Sequence, residues 1–234
     1  MAKSRGAHAS ARTDRPITPA HEDYLKAIYT LSRRGEREGE EVTNSALANH
    51  LRVTPASATN MVKKLADLGL VTYERYQNIA LTAAGEKVAL EVLRHHRLLE
   101  LYLHDKLNVP WDQVHAEADR LEHVLSETLE DAMAAALNNP TVDPHGDPIP
   151  SKDGRVEDVG GILLSAAELN RPYRILRVLV QDPQRLVYLG ELGLYPNAAV
   201  TVLSRAPFAG PLLIDIGGDQ HALAHEMAEF LVVA

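Results

Sequence analysis

The 234-residue chain contains no cysteine. Disulfides, zinc–thiolate sites and thiol nucleophiles are thereby excluded, and a reducing compartment fits. Long apolar runs are missing too: none approaches the ~18 residues that a membrane-spanning helix needs. The leading stretch MAKSRGAHASARTDRP lacks the apolar segment of a secretory signal. A cytoplasmic protein with no membrane partner is therefore expected. No H-E-x-x-H, no G-x-S-x-G and no phosphate-binding glycine loop occurs. The expectation is a protein that is not an enzyme and needs no organic cofactor. Internal repeats and low-complexity tracts are absent as well.

Charge of one sign is scarce only locally. The formal net charge is −8, but residues 1–80 hold 12 Lys/Arg against 9 Asp/Glu, while the remainder holds 12 against 23. A protein that grips DNA needs basic residues only on the face that meets phosphate. The acidic remainder points to cations.

Residues 1–17 mix small, polar and basic types without periodicity and read as a disordered basic arm. From Pro19 to about Arg33, Tyr24, Leu25, Ile28, Tyr29 and Leu31 recur at helical spacing, and Gly35–Glu41 reads as a loop. Thr43-Asn44-Ser45 supplies N-cap chemistry for a second helix, and Thr54-Pro55 for a third that ends at Gly69. Two short strands follow around Gln77-Asn78. Helix, helix, short turn at Arg52-Val53, helix and hairpin make residues 18–83 a winged helix-turn-helix.

Residues 84–139 read as helices over 84–107, 111–117 and 118–138, with an apolar surplus (Leu90, Leu93, Leu98, Leu101) suited to a homodimer interface. The Pro- and Gly-rich stretch 140–171 reads as a linker, and the short β runs of 172–234 as a small barrel. The expected fold class is mainly α with a small β part: winged helix, helical dimerisation domain and SH3-like barrel.

On the third helix, Thr54, Ala56, Ser57 and Asn60 occupy the leading surface that meets base edges in a helix-turn-helix. Asn60 can pair bidentately with adenine, and the Thr and Ala methyls can touch thymine methyls. Lys63 and Lys64 suit phosphates, as do Arg75 and Tyr76 on the wing. Met61, Val62, Leu65 and Leu68 form the stripe expected to be buried. A capped amphipathic helix without DNA would carry the same pattern; the wing and the local basic balance favour DNA.

Two clusters further on suit a metal. His96 and Glu100 are four apart. At 3.6 residues per turn His115, Asp119, Glu122 and His123 fall within about 100° of one another. Glu22 and Asp23 add carboxylates from the first helix. A divalent ion needs donors from several elements, and carboxylate plus imidazole without sulfur suits Mn2+ or Fe2+. The competing reading is a set of solvated salt bridges involving Arg97 or Arg120. His21, His95, His104, His221 and His225 read as surface residues, and His145, in DPHGDP, as a turn former.

Taken in order, HEDYLKAIYTL at 21–31, TPASATNMVKKLADLGLV, LTAAGE at 81–86, HRLLE at 96–100, AEADRLEHVLSE at 116–127 and DPHGDPIP at 143–150 resemble the diphtheria-toxin-repressor and manganese-repressor family of metalloregulators. The C-terminal run from Tyr188 resembles a FeoA domain, as in three-domain members. The resemblance implies a metal corepressor, a dimer built on the middle helices, and palindromic double-stranded DNA as partner. It implies a primary site of Asp23, Asp119, Glu122 and His123 and an ancillary site of His96, Glu100 and His115. Gln181 and Gln184, with Asp182 between them, stand where the third domain can donate ligands. Iron-type members carry Met and Cys at the positions of Asp23 and Asp119, so the pattern here is the manganese one. Lys26 departs from it, standing where a two-domain manganese member has glutamate. Two alternatives stay open: an iron-responsive repressor, and a metal-independent winged-helix regulator that answers to a protein partner.

Overall fold

A computed structural model describes residues 17–39, 41–73 and 78–234. The expected arm lies outside them. The chain falls into two compact units, Met1–Leu90 and Glu91–Ala234.

In the first unit, α1 (Pro19–Glu38), α2 (Asn44–His50) and α3 (Pro55–Asp67) precede a hairpin of β1 (Val71–Tyr73) and β2 (Ile79–Leu81). Both predicted caps form: Thr43 accepts from the Ala46 N–H and Thr54 from the Ser57 N–H, each satisfying a donor that the helix start leaves open. Arg52 turns the chain between α2 and α3 with φ +54°. Leu25, Ile28, Leu47, Val62, Leu65 and Ile79 are fully buried between the elements. The loop expected at Gly35–Glu41 starts later, because α1 runs on to Glu38. A single glycine costs a helix only about 1 kcal/mol, so Gly35 does not end it. The long helix α4 (Ala83–Leu107) starts against the hairpin. A Cβ on Gly85 would lie 1.9 Å from the Leu70 carbonyl oxygen, so only glycine permits this approach.

The second unit takes the rest of α4, then α5 (Val114–Leu121), a 3-10 turn (Glu122–Val124) and α6 (Glu127–Ala136), which Ser126 caps. The helix expected over 118–138 is thus broken at Glu122. Leu99, Ala118 and Met133 join α4, α5 and α6; Leu98, Ala134 and Ile149 tie in the following segment. Fully burying a leucine such as Leu98 contributes roughly 2 kcal/mol.

The stretch read as a linker is built into the unit. Val142 bridges Pro148 around a turn in which Asp143 Oδ1 accepts from the backbone N–H groups of His145 and Asp147. β3 (Ile162–Leu163), inside that stretch, belongs to the C-terminal sheet with β4 (Pro172–Val178), β5 (Ala199–Arg205), β6 (Leu212–Ile216), β7 (Asp219–Leu223) and β8 (Leu231–Val233). The order is β3-β8-β4-β5-β6-β7, all antiparallel. The expected barrel is an open sheet instead: among the described residues β7 pairs only with β6, and two-residue β3 only with β8, so the outer strands do not close a ring. Two helices complete the region, α7 (Pro183–Glu191) and the short α8 (His225–Ala228).

Trp111, from the α4–α5 connection, lies in the core of this C-terminal region. Its ring sits 4.7 Å from that of Tyr195 and stacks on His145 at 5.4 Å. The 143–147 turn meets the sheet as well. Val178 donates to the His145 carbonyl over 2.8 Å, and Arg177 pairs with Asp147. Gly146, at φ +84°, passes so close that a Cβ would stand 2.0 Å from the Leu176 carbonyl oxygen.

Candidate metal centre and DNA-reading face

The centre is assembled on α4. Positions 96 and 100 are one turn apart, so His96 and Glu100 share a face, and both are buried. His115, at the start of α5, reaches them. Glu100 Oε1, His96 Nε2 and His115 Nδ1 form a triangle with sides of 2.9, 3.0 and 3.0 Å. If both nitrogens donate to the carboxylate, their N–H groups confront each other, so hydrogen bonding alone leaves one side unsatisfied. Adjacent donors around an octahedral ion with bonds of about 2.1 Å lie about 3.0 Å apart. The residues therefore fit a small divalent cation better than they fit one another.

Asp119, about half exposed at 48%, approaches both rings, at 3.3 Å from His96 Nδ1 and 3.6 Å from His115 Nε2. His96, His115 and Asp119 offer ligand atoms within 4.8 Å of one another. The two sets implied by resemblance therefore meet. His96 faces Glu100 and His115 with one nitrogen, and Asp119 and Glu122 with the other, Glu122 Oε2 at 2.5 Å. The break after Leu121 separates the environments of the acids: Asp119 stays on α5, whereas Glu122, on the 3-10 turn, is fully enclosed. His123 follows on the same turn, its Nε2 3.5 Å from Glu122 Oε1. Asp23 and Glu22 are partly buried on α1, in the other unit.

Burial opposes ionisation of Glu100, but the charge of His96 and hydrogen bonds from His115 and His96 hold its carboxyl well below the usual range. Asp143 goes the other way. Burial pushes its carboxyl well above the ordinary value, the Asp147 and Glu100 charges add to this, and Arg97 and the Asp147 N–H only partly counter it.

Sequence reasoning did not put forward Asp143 as a ligand and gave His145 to the turn alone. Both are buried, and with Glu100 they form a further group whose ligand atoms lie within 4.8 Å. The one signal available was two potential ligands two residues apart in a polar turn. His145 Nε2 also lies 3.0 Å from the Trp111 carbonyl oxygen, to which it donates. His95 is buried rather than on the surface: the face of α4 that it occupies is covered by the 3-10 turn and α6. His21, His104, His221 and His225 are partly exposed. Gln181 and Gln184 are exposed on either side of the Asp182 cap of α7.

On α3, Thr54, Ala56, Ser57, Asn60, Lys63 and Lys64 are all exposed along one face. Ala58, Val62 and Leu65 are the buried stripe, with Met61 and Leu68 only partly covered. Arg75 and Tyr76 lie outside the described residues.

Three family profiles match, one after another. The DNA-binding N-terminal domain of iron-dependent repressors covers residues 17–79, their metal-binding and dimerisation domain residues 82–151, and the FeoA domain residues 162–234. The chain belongs to the iron-dependent repressor family, that of the diphtheria toxin repressor. Members of this family are metal-dependent, DNA-binding repressors. The iron-dependent repressor IdeR of Mycobacterium tuberculosis is 33% identical over 224 residues, 91% of this chain and 95% of that protein. The diphtheria toxin repressor of Corynebacterium diphtheriae is 33% identical over 132 residues, covering 56% of this chain and 57% of its own. Among solved structures, a manganese-dependent transcriptional repressor in complex with manganese superposes with a TM-score of 0.82 at 35% identity, covering 92% of this chain and 99% of its own. The manganese regulator SloR superposes with 0.75 at 32%, covering 93% and 99%. Relatives named for iron and for manganese both occur, and no helix among the described residues is long and apolar enough to cross a membrane.

Proposed function

We propose that this chain is a manganese-responsive repressor, a regulator rather than an enzyme, that binds a palindromic operator as a homodimer. The observation that carries the reading is the donor set. Imidazole and carboxylate groups converge at octahedral-edge spacing around His96, Glu100 and His115, with Asp119, Glu122 and His123 beside them and no cysteine in the chain. All-nitrogen-and-oxygen sets suit Mn2+ and Fe2+ over soft-ligand metals.

The ancillary ion would be held by His96, Glu100 and His115. The primary ion would be held by Asp119, Glu122 and His123 with Asp23, which the family resemblance brings to that set. A divalent cation supplies positive charge that neutralises these acids. Without it, Asp23, Asp119 and Glu122 repel one another, which disfavours the arrangement that presents α3 to DNA. In that arrangement Asn60 reads a base edge while Lys63 and Lys64 meet phosphates. Two copies would place their α3 helices in successive major grooves about 34 Å apart.

Fluorescence anisotropy of a promoter fragment, with Mn2+, anaerobic Fe2+, Zn2+ or no metal, tests the proposal. Tightening by Mn2+ at lower concentration than by Fe2+ is expected. Equal affinity with and without metal would refute corepression, and an Fe2+ response that outcompetes Mn2+ would favour the iron reading to which the likeness to IdeR points.

A further inference from the structure

His95 and His96 are consecutive on α4, so their side chains leave the helix about 100° apart. Both nonetheless hold the same residue. His96 faces the Glu122 carboxylate, whereas His95 Nδ1 lies 3.2 Å from the Glu122 backbone carbonyl oxygen. A carbonyl only accepts, so Nδ1 carries the hydrogen and donates it. The other nitrogen, Nε2, lies 3.2 Å from Glu130 Oε2 on α6. Glu130 is itself buried, its second oxygen pairs with Arg94 Nε, and the Arg94 guanidinium donates to the Pro150 carbonyl over 2.7 Å. The chain of contacts fastens the 3-10 turn to α4, to α6 and to the segment before β3.

The target of this clamp has one property that matters. The Glu122 carbonyl belongs to the peptide joining Glu122 to His123. Holding that peptide plane restricts the directions in which both side chains leave the backbone, since only ψ of Glu122 and φ of His123 remain to turn them. A three-residue 3-10 turn is marginal alone, and carbonyls at a helix end lack internal partners.

We infer that His95, backed by Glu130, is a positioning residue. It presets the Glu122–His123 peptide so that a carboxylate and an imidazole are held ready for a divalent cation. The inference rests on the metal reading above and adds two residues that touch no ion. Groups that orient metal ligands typically change affinity by about 10- to 100-fold when lost.

Mn2+ titration calorimetry on the full-length chain, with the metal-free melting temperature recorded for each variant, tests it. Three substitutions separate the two ends of the ring. His95→Asn keeps a donor at the Nδ1 position, His95→Gln keeps one only near Nε2, and His95→Ala keeps neither. Mn2+ affinity is expected to fall about 10- to 100-fold in Ala and Gln and to recover largely in Asn. A purely structural role would instead make affinity follow melting temperature across the series. Wild-type affinity in His95→Ala, or equal losses in Asn and Gln, overturns the inference. If His95→Ala does not fold, the Asn–Gln comparison still decides. Absence of Mn2+ binding by the wild-type chain would overturn the metal reading itself, an outcome distinct from the others.

Discussion

Two buried carboxyls within one cluster are displaced in opposite directions, and the consequences for stability have opposite signs. Glu100 ionises more easily in the folded protein than in the unfolded one. Its contribution is present above the unfolded pKa and is lost as the pH falls through the folded value. Asp143 ionises less easily when folded. Its contribution is complete below the unfolded pKa, about 3.9, and is lost as the pH rises through its raised folded value. Metal-free Asp143→Asn keeps the oxygen that accepts from His145 and Asp147 but cannot ionise. It should melt above the wild type near neutral pH, with the gap closing toward pH 4. Melting curves across that range check this, and a variant that melts lower throughout would contradict the assignment.

Placements that depend on helical spacing were readable in advance. His96 and Glu100, four apart, and the exposed face from Thr54 to Lys64 needed only periodicity. His95 and Asp143 were not readable: what makes each special is a neighbour 27 or more positions away, Glu122 for one and Glu100 for the other.

Element ends follow the same division. The starts of α2 and α3 were legible because capping is local, one hydroxyl and one N–H three residues on. The break between α5 and α6 was not. The run from Ala116 to Leu137 consists mostly of good helix formers, and the interruption at Glu122–Val124 is held by contacts from α4 and by the Ser126 cap that restarts the helix. The open sheet was misread as a barrel because alternation identifies strands but says nothing of whether the outermost two meet.

The Trp111 connection gives an element-scale expectation. A tryptophan from between α4 and α5 fills the core of the C-terminal region, so that core is incomplete without it. Trp111→Ala should destabilise this unit by about 3–5 kcal/mol, and hydrogen exchange should rise first in β4, α7 and the 143–147 turn. Unchanged protection there would mean that the tryptophan is not needed for this core.

At the scale of the whole molecule, the uneven charge has a physical use. The basic excess sits in the part that carries α3, and the acidic excess in the part that carries the metal centre. The profile for DNA binding accordingly covers residues 17–79, and the profile for metal binding and dimerisation covers residues 82–151. For a repressor the two events must be coupled, and coupling between binding sites is reciprocal: if the metal tightens DNA, DNA tightens the metal by the same factor. Typical coupling of about 1–3 kcal/mol corresponds to roughly 5- to 150-fold.

The most direct measurement is accordingly a Mn2+ binding isotherm on the full-length protein, taken with and without a saturating operator fragment. The isotherm should move to lower free Mn2+ when the operator is present, and the shift should vanish in His123→Ala. Superimposable wild-type isotherms would contradict the account, since an ion that binds equally well to the free and the DNA-bound protein cannot control where the repressor sits.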